Sequence, residues 1–117
     1  MRVTIYHNPK CTKSSETLEL LRAQGIKPAI IEYLRNPPDK ATLRKILRML
    51  KLGPRDLMRK KEAIYKEAGL DRENLSDDAL VTAMVRNPIL IERPIVIANN
   101  RAVIGRPPEK VLEILKT

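Results

Sequence analysis

The start of the chain has the pattern of a strand, a helix and a second strand. Val3–Tyr6 is a short β-like run, and Asn8-Pro9 ends it because proline keeps the preceding residue out of the helical region. Residues 12–24 then favour helix up to Gly25, and residues 29–33 form a second β-like run. A helical crossover of this length allows the two strands to run parallel. The pattern therefore predicts a β-α-β unit and an α/β fold.

The sequence pattern in the middle of the chain predicts a block of short helices. This block forms an insertion over about residues 39–87. Asp39 is a plausible N-cap for a helix whose apolar residues recur at i, i+3, i+4 and i+7. These apolar residues are Leu43, Ile46, Leu47 and Leu50. Pro54 suits the first turn of the next helix, residues 62–68 favour a further one, and Ser76 precedes the last, in which Leu80, Ala83 and Met84 face inward.

The end of the chain predicts a β-hairpin followed by a helix. Pro94–Ala98 reads as a strand, Asn99-Asn100 tolerates the positive φ angles of a tight turn, and residues 101–105 return. Pro107-Pro108 opens a final helix that carries Val111, Leu112 and Leu115. The order β-α-β, helical insertion, β-β-α is similar to a thioredoxin-like layout. We expect one domain over residues 1–117, with a mixed four-stranded sheet and helices on both faces.

Composition narrows the classes of function. The 117 residues carry a net charge of +9 but three Tyr and no Phe or Trp, which argues against stacking on nucleic-acid bases. No apolar run approaches the ~20 residues of a membrane helix, and the start of the chain reads as a strand rather than a signal peptide. One cysteine gives no disulfide framework. We therefore expect a cytoplasmic protein with no membrane or nucleic-acid partner.

That single cysteine lies at the predicted strand-to-helix turn. A helix N-terminus stabilises a thiolate through its N–H groups and dipole, so Cys11 is a candidate nucleophile. Lys10, Lys13 or a protonated His7 would add a nearby cation. Thr12, Ser14 and Ser15 offer hydroxyl and backbone N–H groups that could bind an oxyanion. His7 could equally do no more than end a strand. The alternative use of a free cysteine is as a small buried apolar residue.

Three arginines form a second group of candidate functional residues. Arginine presents a planar fork of donors that binds tetrahedral oxyanions through paired hydrogen bonds. In a thioredoxin-like layout, the residue before the proline of the third strand lies beside the active cysteine, and the end of the last strand can reach the same region. The candidates are Arg59, Arg93 and Arg106. The alternative is that they are ordinary surface arginines.

Five separated segments together resemble the glutaredoxin-dependent arsenate reductases. They are "YHNPKCTKSSETLELL", "NPP", "RDLMRKKE", "NPILIERPIVI" and "IGRPPEKVLEIL", and they occur in the order of that family across nearly the whole chain. We expect no counterpart of the C-terminal extension that some members carry. The resemblance implies the thioredoxin-like fold and a redox enzyme.

The resemblance also implies residue roles. Cys11 matches the nucleophile, His7 the residue that favours its thiolate, and Ser14 the serine three places after the nucleophile. Pro94 matches a cis-proline. The positions that match the arginines holding arsenate and the arsenic intermediates are Arg59, Arg93 and Arg106.

The activity implied is reduction of arsenate to arsenite, with glutathione as co-substrate, glutaredoxin as partner and no bound metal or cofactor. One position departs from typical members, which have arginine four residues after the nucleophile where this chain has Ser15. A glutathione-linked thiol reductase with another substrate is therefore an alternative. A further alternative is the branch that binds RNA polymerase, although the Cys-x-x-Cys of some of its members is missing because Ser14 occupies the second position.

Overall fold

The computed structural model describes residues 2–116, which divide into two compact units. Among the described residues, the first unit comprises residues 2–36 and 93–116, and the second comprises Pro37–Glu92. In chain order the described residues contain strands β1 (Val3–His7), β2 (Ala29–Glu32), β3 (Ile95–Ala98) and β4 (Arg101–Ile104), helices α1 (Thr12–Ala23), α2 (Lys40–Leu50), α3 (Pro54–Leu57), α4 (Ala63–Glu67), α5 (Asp77–Arg86) and α6 (Leu112–Leu115), and 3₁₀ turns at Pro88–Leu90 and Pro108–Val111. The single domain with a helical insertion stays a prediction.

The first unit contains a mixed sheet. Within residues 2–116 the sheet has four strands in the order β2-β1-β3-β4. β1 and β2 are parallel, as the amino-terminal pattern predicts, whereas β1–β3 and β3–β4 are antiparallel. Ile5 lies opposite Val96, and Val96 lies opposite Val103. The sheet confirms the predicted fold class.

One face of this sheet carries the core of the first unit. α1 packs on β1 and on the segment Pro108–Val111, while α6 packs on β3 and β4. The buried side chains that meet there are Val3, Ile5, Leu18, Leu21, Val96, Ala98, Val111 and Ile114. The predicted final helix is only partly regular: it begins as a 3₁₀ turn and becomes α-helical at Leu112.

The turn between β3 and β4 is confirmed. Asn99 and Asn100 have φ angles of 53° and 59°, in the left-handed region that asparagine tolerates better than most residues. This two-residue turn sets the hairpin register in which Ile95 lies opposite Ile104. The register places the start of β3 beside the end of β4.

The second unit is helical. The Asp39 carboxylate accepts a hydrogen bond from the Thr42 N–H at 2.7 Å, which confirms it as the N-cap of α2, and the Ser76 hydroxyl accepts one from Ala79 N–H at 3.1 Å at the start of α5. α5 packs against both α2 and α3. The predicted inward face of α5 needs one correction, because Ala83 is only partly buried whereas Val81 is buried.

Candidate active site

A tight turn places Cys11 at the start of α1. The Cys11 N–H donates to the Asn8 carbonyl at 3.0 Å, and the Lys10 N–H donates to the Asn8 side-chain oxygen at 3.0 Å. Cys11 is the N-cap residue of α1, and its carbonyl accepts from the Ser15 N–H at 3.0 Å. The thiol is therefore at the N-terminus of a helix twelve residues long, where the free N–H groups favour an anion.

The pKa of the Cys11 thiol is lowered from its ordinary value. Partial burial raises this pKa, but the backbone N–H of Ser14, the hydrogen bond and charge of the Arg93 guanidinium, and the backbone N–H of Lys13 together outweigh it. Each of these groups interacts better with the thiolate than with the thiol. The geometry therefore produces a nucleophile that is ionised more readily than a free cysteine.

Ser14 links the cysteine turn to His7. Ser14 is fully buried, its hydroxyl oxygen accepts the Asn8 N–H at 3.1 Å, and the same oxygen lies 2.6 Å from His7 Nδ1. His7 is 7% exposed at the end of β1. The structure thus brings His7, Ser14 and Cys11 together in one hydrogen-bonded turn.

The pKa of His7 is lowered. Burial is the main cause; the Glu32 carboxylate raises it and the Arg22 guanidinium lowers it further. The neutral imidazole is therefore favoured at neutral pH, and the cation that interacts with the Cys11 sulfur is Arg93. The role of His7 as the residue that favours the thiolate stays a prediction, with Ser14 as its observed contact.

Arg93 and Arg106 lie at neighbouring ends of the β3–β4 hairpin. Arg106 Nη1 donates a hydrogen bond to the Arg93 carbonyl at 3.0 Å, and the Gly105 N–H donates to the Pro94 carbonyl at 2.9 Å. The Arg93–Pro94 and Arg106–Pro107 peptide bonds are both cis. The structure thus brings Arg106 to the backbone of the arginine that contacts Cys11.

Gly105 and Thr17 are structural parts of the site that the sequence patterns did not indicate. The buried Thr17 hydroxyl donates to the Lys13 carbonyl at 2.8 Å and contacts the Gly105 carbonyl at 3.3 Å. A Cβ atom on Gly105 would lie 2.7 Å from Thr17 Oγ1 and 3.0 Å from Pro94 Cγ. The glycine that precedes an Arg-Pro pair was the available signal, since glycine often marks a close backbone approach.

Arg59 belongs to the other compact unit. Its guanidinium makes ion pairs with Glu62 at 3.2 Å and Glu92 at 3.0 Å, and its side chain is 22% exposed. Its backbone N–H donates to the Leu90 carbonyl at 2.7 Å. These contacts hold the guanidinium in a defined place, and its role toward substrate stays a prediction.

An open groove of about 500 Å³ adjoins the thiol. Its lining residues are Pro9, Lys10, Cys11, Thr12, Ser15, Glu16 and Glu19. Across residues 2–116 no set of three or more His, Cys, Asp or Glu side chains is placed to hold a metal ion. In the same residues no helix combines the length and apolar character needed to cross a membrane.

The arrangement can perform nucleophilic chemistry on an anion. Cys11 supplies a thiolate, the start of α1 supplies N–H donors, and Arg93 supplies a positive charge at the sulfur. Arg106 lies close enough to Arg93 to bond with its carbonyl. A tetrahedral oxyanion would find donors and positive charge at the same place as the nucleophile.

Known proteins are similar to this chain in both sequence and fold. A model of the ArsC family matches residues 6–114. The chain is 56% identical over 115 residues to the Escherichia coli K12 protein YfgD and 46% identical over 114 residues to the arsenate reductase of Neisseria meningitidis Z2491, in each case covering 97% of both chains. The structure of an arsenate reductase from Vibrio cholerae has a TM-score of 0.95 and 55% identity, covering 97% of this chain and 98% of that one.

Proposed function

Because this chain belongs to the ArsC family of arsenate reductases, we propose that it reduces arsenate to arsenite with Cys11 as the nucleophile. The observation that carries the proposal is the Cys11 thiol, whose pKa is lowered by the Ser14 and Lys13 N–H groups and by Arg93 in spite of partial burial, which raises it. Attack on an arsenic oxyanion requires an ionised thiol, and the lowered pKa favours this form of Cys11. The relatives named arsenate reductase support arsenate as the substrate in this proposal.

In the first step the Cys11 thiolate attacks arsenic. A sulfur–arsenic bond forms, an arsenic–oxygen bond breaks, and that oxygen leaves as water after protonation. Arg93, beside the sulfur, and Arg106, bonded to the Arg93 carbonyl, offset the negative charge of the oxyanion. The family resemblance adds Arg59 as the third arginine and Ser14 as a positioning group.

The reducing electrons must come from outside the chain, because Cys11 has no second cysteine with which to form a disulfide. The thiolate of glutathione displaces a second oxygen from arsenic, again as water. A glutaredoxin thiolate then attacks the glutathione sulfur, and the electron pair of the arsenic–sulfur bond stays on arsenic. Arsenic is thereby reduced from As(V) to As(III), glutaredoxin and glutathione form a mixed disulfide, and water releases arsenite from Cys11.

The direct test measures arsenite formation with arsenate, glutathione and glutaredoxin. Wild-type protein should form arsenite, and Cys11→Ser should reduce the rate to the background without protein. Arg93→Ala should lower kcat/KM by about 10²-fold because it removes a charge beside the reacting sulfur, with Arg93→Lys intermediate. Arg35→Ala, which removes an exposed arginine of the same unit, is the matched control. Full activity of Cys11→Ser would disprove the mechanism.

A second candidate function follows from Ser15. The family resemblance places arginine there, and serine leaves this chain with one cation fewer at the start of α1. Such a site would suit a glutathione-linked thiol reductase that acts on a glutathionylated peptide. Parallel turnover assays with arsenate and with that peptide separate the two functions: glutathione binding and peptide turnover without arsenite formation would favour the second.

A further inference from the structure

We propose that Thr17 is a positioning residue for the reaction, because its hydroxyl fixes the peptide unit that leads into Arg106 and so sets where that guanidinium meets an oxyanion at Cys11. The proposal deepens the proposed function, since it rests on an oxyanion bound at Cys11 and on the role of Arg106 toward it. Thr17 acts through the backbone and not by touching the substrate.

Thr17 is fully buried where α1 meets the end of β4. Its hydroxyl donates to the Lys13 carbonyl at 2.8 Å and lies 3.3 Å from the Gly105 carbonyl oxygen. A hydroxyl has one proton to donate and both neighbours are acceptors, so the proton is shared between them in a three-centre hydrogen bond. One side chain thus joins the first turn of α1 to the segment that follows β4.

The peptide unit between Gly105 and Arg106 is held at both ends. The Arg106 N–H donates to the Ile104 carbonyl at 2.8 Å, which closes a tight turn centred on Gly105. The carbonyl of the same peptide unit faces the Thr17 hydroxyl. A peptide unit is planar, so its carbonyl and its N–H can only turn together. Thr17 and Ile104 therefore fix the direction in which the chain enters Arg106.

Close packing holds this peptide unit against α1 and β3. Gly105 is buried, its N–H donates to the Pro94 carbonyl at 2.9 Å, and a Cβ atom on it would lie 2.7 Å from Thr17 Oγ1. Beyond the turn, Arg106 Nη1 donates to the carbonyl of Arg93, the arginine that interacts with the nucleophilic sulfur. A rotation of the peptide unit would therefore move one arginine of the site relative to the other.

Thr17→Val removes the hydroxyl and keeps the shape of the side chain. The buried Gly105 carbonyl would then face a methyl group, and its need for a donor would turn the peptide unit and displace Arg106. The KM for arsenate should rise about tenfold. The kcat and the pH profile of Cys11 alkylation should change little, because Arg93 and the N–H groups at the start of α1 still contact the sulfur.

The test measures how arsenate protects Cys11 from iodoacetamide, and the arsenate concentration that halves the alkylation rate gives the Kd. Thr17→Val should raise this Kd about tenfold, whereas Thr17→Ser keeps the hydroxyl and should bind arsenate like the wild type. Thr82→Val makes the same change on α5 in the other unit and should leave the Kd unchanged. Unfolded protein is alkylated without protection, so misfolding would lower the amplitude and leave the midpoint in place.

A double-mutant cycle identifies the residue through which Thr17 acts. Arg106→Ala should weaken arsenate binding by itself, and Thr17→Val should add no further rise in Kd in that background. The inference is overturned if Thr17→Val binds arsenate like the wild type, or if its full effect persists once Arg106 is removed.

Failure of this inference can be told apart from failure of the proposed function. Protection of Cys11 requires no turnover, so protection that depends on the Thr17 hydroxyl without arsenite formation would support the positioning role and reject arsenate reduction. Arsenite formation with an unchanged KM for arsenate in Thr17→Val would support the function and reject the role of Thr17. A wild-type protein that arsenate does not protect would reject both.

Discussion

At the scale of single residues, Ser14 connects Cys11 to His7 through its backbone N–H and its side-chain hydroxyl. Its N–H interacts with the Cys11 sulfur, while its hydroxyl oxygen contacts the Asn8 N–H and His7 Nδ1. A buried hydroxyl with these partners is fixed in position. His7 therefore contacts the turn that holds Cys11 through the Ser14 hydroxyl. Burial lowers the pKa of His7 and so favours its neutral form.

The lowered pKa of His7 predicts a specific pH dependence of stability. Unfolded histidine has a pKa of about 6.5, and the folded value is lower, so between the two values the unfolded state binds more protons. The free energy of unfolding should therefore fall as pH decreases through about 6.5. Urea unfolding between about pH 7 and about pH 5 measures this change.

His7→Gln is the control for this measurement. Glutamine retains hydrogen-bonding atoms but does not titrate, so the decrease in stability over this pH interval should be smaller than in the wild type. The Asp39 and Asp78 carboxylates, whose pKa values are lowered, lose their stabilising effect only at more acidic pH, near the ordinary carboxylate range. An identical pH dependence in the wild type and His7→Gln would contradict the buried neutral histidine.

Sequence reasoning predicted Cys11 and Arg93 more easily than the state of His7. A cysteine between a proline turn and a helix indicates a thiolate site through local rules alone. Arg93 followed from its position before the proline of the third predicted strand. The pKa of His7 depends on burial and on Glu32 and Arg22, which approach it only in the folded chain.

At the scale of elements, α1 shows why part of the site is hidden from hydrophobic periodicity. Its buried residues are Ser14, Thr17, Leu18 and Leu21, spaced i, i+3, i+4 and i+7. The first two are polar, so the apolar pattern identifies only half of the buried face. The Ser14 hydroxyl contacts His7 and the Asn8 N–H, and the Thr17 hydroxyl donates to the Lys13 carbonyl and also contacts the Gly105 carbonyl.

Replacement of Gly105 should disturb the packing of the hairpin end on α1. The added methyl in Gly105→Ala would lie 2.7 Å from Thr17 Oγ1 and 3.0 Å from both Thr17 Cγ2 and Pro94 Cγ. Overpacking of this kind costs about 1–3 kcal/mol. The free energy of unfolding should decrease accordingly, and the KM for arsenate should rise because Arg106 is the next residue.

The double variant Thr17→Ala/Gly105→Ala tests the cause. Removing the Thr17 side chain removes two of the three close approaches, so the two substitutions should not be additive. Gly105→Ala should cost less in the Thr17→Ala background than in the wild type. Strict additivity would mean that the cost has another origin.

The helical unit depends on its caps. Ser76→Ala removes the hydroxyl that accepts the Ala79 N–H at 3.1 Å, which should lower stability by about 1 kcal/mol. Ser76→Asp keeps an acceptor at the same position and should retain most of the stability. Chemical denaturation of the three proteins compares them, and equal stability of Ser76→Ala and the wild type would show that the cap contributes nothing.

At the scale of the whole molecule, the order of elements and the approach of Arg93 to Cys11 were predictable, whereas the hydrogen bond between Arg106 and the Arg93 carbonyl was not. Prolines, glycines and the Asn99-Asn100 turn divide the sequence into segments whose order implies the sheet, and the ArsC family match confirms the resemblance. The pairing of Arg106 with the Arg93 carbonyl depends on hairpin register and on Gly105, which act only after folding.

The central claim is that Cys11 is an activated nucleophile for an oxyanion, and its titration tests this most directly. Since Cys11 is the only cysteine, the pH dependence of alkylation by iodoacetamide reports on it alone. We predict a thiol pKa below the ~8.5 of a free cysteine, and slower alkylation with a higher apparent pKa when arsenate is present, because bound anion disfavours the thiolate. A pKa near ~8.5 that arsenate leaves unchanged would contradict both the activation of Cys11 and the oxyanion site around it.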